Sequence, residues 1–320
     1  MPNEKRCDAI IDVVMACYRE PIPWLSNAID SILTQSETRF KFVIVLDDPD
    51  NLEIKNCLSS FQAQDDRIEV IINEQNLGLA ASLNRAIQAS SSPFIARMDA
   101  DDISLPERLK IQLDYLNANP EYALIGSAIE NIDENQTVLG IKTFESKPAL
   151  LKKMIPFCSV ACHPTWMFRR QDYDDVQGYR NLSTAQDYDF LYRLIDANKR
   201  ITNLPQPLVK YRIHNSSITS GMSLKRYKIR RYIHDMHQDR VRYGKDEFSE
   251  EILQSYVAQA KASKTISKLL TKLRQAEEKQ SPLKIFYMGL LTVLSADVRQ
   301  RVIDHIQLKW LMARHPTVDK

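Results

Sequence analysis

The chain has 320 residues, 44% hydrophobic and 26% charged, with a net charge of +2, which is the usage of a folded protein of one large or two smaller domains and excludes a disordered, collagen-like or disulfide-scaffold class. Only seven glycines occur, and the closest two are fourteen apart, so no Gly-rich phosphate loop of the G-x-G-x-x-G or Walker type and no G-x-S-x-G nucleophile elbow exists here. Residues 221–320 hold 20 Lys and Arg against 11 Asp and Glu, a net of +9, whereas residues 1–220 hold 23 against 30, a net of −7; the asymmetry predicts an acidic body suited to metal and a basic appendage suited to an anionic surface.

Ala9 to Cys17 is a nearly continuous β-branched and apolar run, as expected of a strand buried on both faces of a parallel sheet. After a Pro-containing turn, Trp24, Leu25, Ala28, Ile29, Ile32 and Leu33 draw an amphipathic helix stripe. The cycle repeats with strands at Phe40–Leu46, Ile68–Ile72 and Phe94–Met98 and helices at Leu52–Phe61 and Leu79–Ala89; Pro106 marks the start of a further helix. Alternation of this kind predicts right-handed crossovers and an α/β, doubly wound, mainly parallel sheet. After Tyr122 the rhythm loosens into a strand at Ala123–Ile132, a turn at Asp133–Gln136, and strands at Thr165–Phe168 and Leu208–Ile213, which reads as a mixed sheet edge. From Ser223 onward polar helical patterns replace strands, with a break at Ser281-Pro282. The domains expected are therefore residues 1–220 and a basic helical region, 221–320.

The five cysteines form no C-x-x-C pair and the start of the chain has no apolar signal region, so a reducing cytoplasm is expected and Cys158 with Cys162 reads as two small packing residues. The longest apolar run, Ile285–Leu294, is too short to cross a bilayer core of about 30 Å.

Open α/β sheets bind ligands beyond the carboxyl ends of their strands. Those ends carry Tyr18, Arg19 and Glu20; Asp47 and Asp48; Asn73, Asn76 and Gly78; and Asp99, Asp101 and Asp102. Arg97-Met98-Asp99-Ala100-Asp101-Asp102 sets three carboxylates beside a buried strand, where oxygen ligands suit Mg²⁺ or Mn²⁺. The plainer reading makes them turn and capping acids ahead of Ser104 and Pro106, above all Asp102. His234 and His237, three apart on a helix, read as surface histidines. The run Lys225–Tyr232 reads as a solvated basic face or an anion contact, a membrane surface ahead of nucleic acid.

In order and spacing, VVMACYRE, IDSILTQ, VIVLDDPD, NLGLAASLNRAI, IARMDADDISLPERL, HPTWMFRR, QDYDFLYRL and YRIHNSS resemble the inverting family 2 glycosyltransferases with the GT-A fold, over residues 9 to 219. The resemblance implies a base pocket at Ala16 and Tyr18, Glu20 near base or ribose, Asp48 on the base edge, and Asn76, Gly78 and Arg97 around the nucleotide sugar. It further implies ribose contact at Asp99, metal at Asp101, an acceptor side at His163, Pro164 and Gln186, the catalytic base at Asp187, and Arg212 and His214 toward the diphosphate or metal. Asp189, two residues past Asp187, faces another way on a helix and reads as structural.

Three departures stand out: Asp47-Asp48-Pro49-Asp50 where D-D-G-S is usual, Arg19 where Asn is common, and Gln186 where an acid usually precedes the base. The implied activity is transfer from a nucleotide diphosphate sugar, a UDP-sugar first, to a glycan or lipid-linked glycan acceptor in lipopolysaccharide, O-antigen or capsule synthesis. Mn²⁺ or Mg²⁺ would assist, in a cytoplasmic enzyme that touches the inner membrane peripherally and binds no nucleic acid. The alternatives are a degenerate nucleotide-binding scaffold of the same fold and an aspartate-based phosphotransferase.

Overall fold

The computed structural model describes residues 9–214, 224–258, 268–269, 271–273, 275–276 and 281–314. They fall into two compact units, one within Met1–Lys152 and Val160–His214, the other within Lys153–Ser159 and Asn215–Lys320. The boundary expected near Gly221 lies outside the described residues.

In the first unit the expected cycle is present: β1 (Ile11–Cys17), α1 (Ile22–Leu33), β2 (Phe40–Leu46), α2 (Leu52–Gln64), β3 (Ile68–Ile72), α3 (Leu79–Gln88) and β4 (Phe94–Asp99). There follow β5 (Ile103–Ser104), α4 (Arg108–Ala118), β6 (Tyr122–Ile132), β7 (Val138–Lys142), α5 (Pro148–Met154), a 3₁₀ turn at His163–Thr165, β8 (Met167–Arg169), α6 (Arg170–Asp175), α7 (Gln186–Asp196) and β9 (Arg200–Arg212). The sheet runs β3-β2-β1-β4-β8-β6-β9-β5, with β7 paired to β6. Its first four strands are parallel, and β8 enters antiparallel between β4 and β6. The α/β, mainly parallel mixed sheet of the sequence is thus the observed class.

Alternation along β1 and β2 explains their unbroken apolar sequences. Ile11, Val13, Met15 and Cys17, with Phe40, Phe42, Ile44 and Leu46, join a core completed by α1, α2 and α4, whereas Val14, Val43 and Val45 are buried on the opposite face, the side left to α3, which packs on both strands. A strand covered on both faces has no position at which a polar side chain meets water. The exceptions are Lys41, half-buried and paired with Glu69, and Asp12, 1% exposed, which is satisfied by Arg170 (2.7 Å) and by the hydroxyl and amide of Ser92.

β9 starts at Arg200, eight residues before the expected Leu208, because Pro205 and Pro207 conceal it in sequence; the register with β6 shifts at that point and tolerates the missing donors. β5, β7, α5 and α6 were not expected, being short or, in β7, exposed along their whole length. Asp102 is no helix cap: α4 begins at Arg108 with Glu107 in the cap position, while Asp102 Oδ1 accepts the Arg212 amide at 2.8 Å.

The second unit contains α8 (Leu224–Tyr243), α9 (Glu250–Ala258), α10 (Leu283–Leu294) and α11 (Ala296–Arg314), with Ile229, Tyr232, Ile233, Met236 and Leu253 buried on α8 and α9 and Leu273, Leu291 and Val298 forming a small cluster. None of the described helices is long and apolar enough to cross a membrane. His234 and His237 lie with ring centroids 5.9 Å apart on α8, and no metal-capable group of three among the described residues includes them. Cys17, Cys57, Cys158 and Cys162 form no disulfide.

Gly126, in the buried part of β6, tests the packing between β6 and β9. A Cβ there would meet Asn203 Oδ1 at 2.3 Å, and Asn203 is held by hydrogen bonds to the carbonyls of Glu145 (2.7 Å) and Val160 (3.0 Å). Gly126→Ala is expected to destabilise the protein by about 1–3 kcal/mol, read as a lower denaturation midpoint at unchanged m-value; an unchanged midpoint would show that Asn203 can yield.

Candidate active site

In register, Cys17 is level with Leu46, Leu46 with Ile72, and Ala16 with Asp99. The segments leaving β1, β2, β3 and β4 therefore emerge at one edge of the sheet, carrying Tyr18 to Glu20, Asp47 and Asp48, Asn73, and Asp99 to Asp102.

Asp99, Asp101 and Asp102 form the acidic centre: one carboxylate oxygen from each lies within 4.8 Å of the others. Burial, and then the charge of Asp99, raise the Asp101 pKa; burial, followed by Asp101 and Asp99, raises Asp102 well above the usual range. Glu20 is raised too, first by burial, although the Tyr18 amide at 2.7 Å favours its anion and Asp101 and Asp99 oppose it. Like charges at this separation favour a proton or a cation. An all-oxygen donor set, with a buried Asp102 Oδ2 that has no partner among the described residues, fits a hard divalent ion such as Mg²⁺ or Mn²⁺.

One fixed cation lies beneath this centre. Arg97, 2% exposed, pairs through Nη2 with Asp99. Burial works against its charge, but Asp99, with smaller help from Tyr179 and Asp102, leaves its pKa raised. Arg108 fixes the strand below, donating to the Arg97 carbonyl at 2.6 Å and to Gln112 Oε1 at 3.0 Å, which gives the Arg in S-x-P-x-R-L a structural role.

Arg212 and His214 brace Asp101. Arg212, 1% exposed, donates from Nε to the Asp101 carbonyl (2.8 Å) and from Nη1 to the carbonyls of Asp133 (3.1 Å) and Glu134 (3.2 Å). Its observed partners are backbone oxygens, so it holds the Asp101 loop, while its buried Nη2 has no partner among the described residues. His214 Nε2 lies 2.9 Å from Asp101 Oδ2, and its ring is 5.0 Å from that of Trp24. Trp24, expected in the helix core stripe, thus reaches the site from the start of α1.

The loop before α3 is ordered by Asp47, buried and among the residues expected at the strand ends. Its carboxylate accepts from Asn73 Nδ2 (2.6 Å) and the amides of Leu77 (2.8 Å) and Gly78 (2.9 Å). Gly78, at φ +84°, turns the chain into α3 in a conformation that favours glycine. Asn76 is exposed on this loop. Arg19 pairs with Asp48 (2.8 Å) and stacks over Tyr18 at 4.6 Å, so the unusual Arg and D-D-P-D segments are partners.

On the opposite side, His163 and Pro164 are buried, with His163 Nε2 2.9 Å from the Tyr179 hydroxyl and its ring against Trp166. Burial, then Arg97, push His163 well below the usual range, so it is neutral. Tyr179 is raised by burial, with Arg97 opposing and Asp187 adding to the shift; one hydroxyl is therefore electrostatically linked to both Arg97 and Asp187. Asp187 is half-buried in the first turn of α7, behind Ala185 at φ +62°, a left-handed conformation uncommon for alanine. Gln186 is buried. Asp189, fully buried, pairs with Arg193 (2.8 Å) and Arg180 (3.6 Å), the structural role expected of it. Nothing in the sequence pattern marks Tyr179, whereas Asp47 and Asn73 were legible as the first polar residues after their strands.

A family model described as Glycosyl transferase family 2 matches residues 12–177. The chain is 32% identical over 225 residues to an O-antigen biosynthesis glycosyltransferase of Escherichia coli, WbnJ, covering 70% of this chain and 87% of that protein. It is 36% identical over 209 residues to an uncharacterized glycosyltransferase of Methanocaldococcus jannaschii, covering 64% and 71%. Among solved structures, S. aureus TarS 1-349 in complex with UDP-GlcNAc superposes with a TM-score of 0.58 at 16% identity, covering 78% of this chain and 71% of that one; at that identity the likeness is one of fold.

Arg97→Met removes the buried counter-charge and leaves three carboxylates facing each other. It is expected to lower stability in chelator by about 3 kcal/mol and to enlarge the thermal stabilisation by Mn²⁺ or Mg²⁺. Equal melting shifts with metal in the variant and the parent would refute the counter-charge role. Because Asp101 and Asp102 have raised pKa values in the folded state, protons would compete with a metal held there. The metal-induced shift should therefore shrink as pH falls from neutrality toward the carboxylate range, while the metal-free protein gains stability over the same window. A metal shift independent of pH would argue against these ligands.

Proposed function

The chain belongs to glycosyl transferase family 2, and on that premise we propose that it is a metal-assisted inverting enzyme of bacterial surface-polysaccharide synthesis. It would move a sugar from a nucleotide diphosphate sugar, a UDP-sugar in the first instance, to a glycan or lipid-linked glycan acceptor. That it is a glycosyltransferase with a GT-A-like fold follows from the family and from the fold likeness. The donor, metal and acceptor are our reading. The observation that carries it is the acidic centre of Asp99, Asp101 and Asp102, at the edge where four strands end and with Glu20 close enough to feel its charge.

In this reading Ala16, Tyr18 and Asp48 receive the base, and Asp99, held by Arg97, receives the ribose. A divalent ion held by Asp101 and Asp102 would supply charge stabilisation for the departing diphosphate. His214 and Arg212 keep Asp101 in place. Asp187 accepts the proton of the acceptor hydroxyl as its oxygen forms a bond to the anomeric carbon and the bond from that carbon to the diphosphate oxygen breaks. One displacement inverts the anomeric centre and requires no enzyme nucleophile, consistent with the ion pair of Asp99, which does not suit an attacking carboxylate. The E. coli relative is named for O-antigen biosynthesis and the TarS structure for UDP-GlcNAc; both support the substrate classes chosen.

Asp187→Asn is expected to lower the turnover number by about 10²–10⁴-fold while the thermal shift with UDP and Mn²⁺ stays as in the parent; retention of most turnover would remove Asp187 from the role of base. Asp101→Ala should abolish the metal dependence of UDP binding in calorimetric titration, and unchanged titrations would place the metal elsewhere.

A further inference from the structure

The second unit presents apolar surface where a water-soluble helix presents polar side chains. In α10 the inward residue Leu291 is fully buried, yet Ile285, Phe286 and Val293 on other sides of the helix are 74%, 62% and 71% exposed. Within Leu283–Leu294 the one charged residue is Lys284. An amphipathic helix on a globular surface reserves its outer face for polar residues; this one is apolar inside and out, and at 12 residues it is too short to span a bilayer. In α11, Ile303, Ile306 and Trp310 are exposed at spacings of three and four, which sets them in one line on the helix.

The charge around these residues is one-sided. Residues 281–314 contain five Lys and Arg against two Asp. Both acids have partners within the unit: Asp297 pairs with Lys228 at 2.8 Å, and Asp304 accepts from the Gln300 amide at 2.9 Å. Arg314 stacks over the Trp310 ring. Exposed apolar side chains with a tryptophan among them, flanked by cations and in a segment of net charge +9, match the chemistry of an interfacial helix that inserts its apolar face below anionic headgroups. A second copy would bring two units of the same charge together, whereas an anionic bilayer offers complementary charge.

We infer that α10 and α11 form a docking surface for the face of an anionic lipid bilayer, with Phe286, Val293, Ile306 and Trp310 as the inserting side chains. The inference stands on the second unit alone and goes beyond the reading of the acidic centre in the first.

Co-sedimentation of the full chain with vesicles tests it. Binding to phosphatidylcholine vesicles containing phosphatidylglycerol is expected to be roughly tenfold or more tighter than to phosphatidylcholine alone, and to weaken with added salt. The double substitution Phe286→Ser with Trp310→Ser should reduce anionic-vesicle binding by roughly tenfold, and Ile285→Ser with Val293→Ser should act in the same direction; all four side chains are more than half exposed, so the fold is not at stake. Equal binding to both vesicle types, or binding unchanged in both variants, overturns the inference. So does a dimer in sedimentation velocity that these substitutions dissociate, which would assign the surface to a second copy. The thermal shift with UDP and Mn²⁺, measured on the same samples, reports the first unit separately: its absence alongside intact vesicle binding would refute the donor-site reading alone.

Discussion

Asp99, Asp101 and Asp102 bring like charges within 4.8 Å at the end of a buried strand, and such an arrangement persists only where neighbouring groups offset the repulsion. Much of the first unit is organised around that requirement. Arg97 rises from the core beneath Asp99, Arg108 fixes the backbone that carries Arg97, and Arg212 ties the Asp101 carbonyl to the turn after β6. All three arginines are 2% exposed or less. A buried guanidinium is costly without partners, so these side chains define one conformation of the strand end by the bonds they require.

The same centre connects to the 3₁₀ turn at His163–Thr165 and to α7 through a buried hydroxyl. Tyr179 bonds to His163 and is influenced by both Arg97 and Asp187, so the arginine that holds Asp99 and the group proposed to take the acceptor proton share an electrostatic neighbour. Burial disfavours the imidazolium form of His163, which makes it a weak base, and its Nε2 is engaged with the Tyr179 hydroxyl. Asp189 has no such opening, since two arginines surround it. Two carboxylates on one turn of α7 are thereby separated in role by their surroundings, one half-buried and one enclosed.

The second unit follows a different rule. α8 and α9 bury Ile229, Ile233, Met236 and Leu253, and Leu273, Leu291 and Val298 form a further cluster, yet a large share of the apolar side chains on α10 and α11 faces outward. A unit of that composition makes physical sense when part of its surface meets a phase other than water. The basic character visible in composition is one half of that design, and the exposed aliphatic and aromatic side chains are the other.

Strands β1 to β4, helices α1 to α4, the mixed sheet edge and the residues following each strand were legible in the sequence, because a strand buried on both faces must be apolar throughout and a helix on a sheet must repeat every three to four residues. The family resemblance identified Asp99, Asp101, Asp187 and their neighbours as candidates for the same reason, that a short motif contains all its members. What depended on three dimensions was each side chain's partner. Arg212 turned out to hold backbone 111 residues away, Asp102 to accept an amide from β9, Trp24 to reach His214, and Asp47 to organise the loop before α3. Local pattern reports burial and direction along an element, whereas hydrogen-bond partners between distant segments are set by how the sheet brings its strand ends level, and that is decided only when the chain has folded.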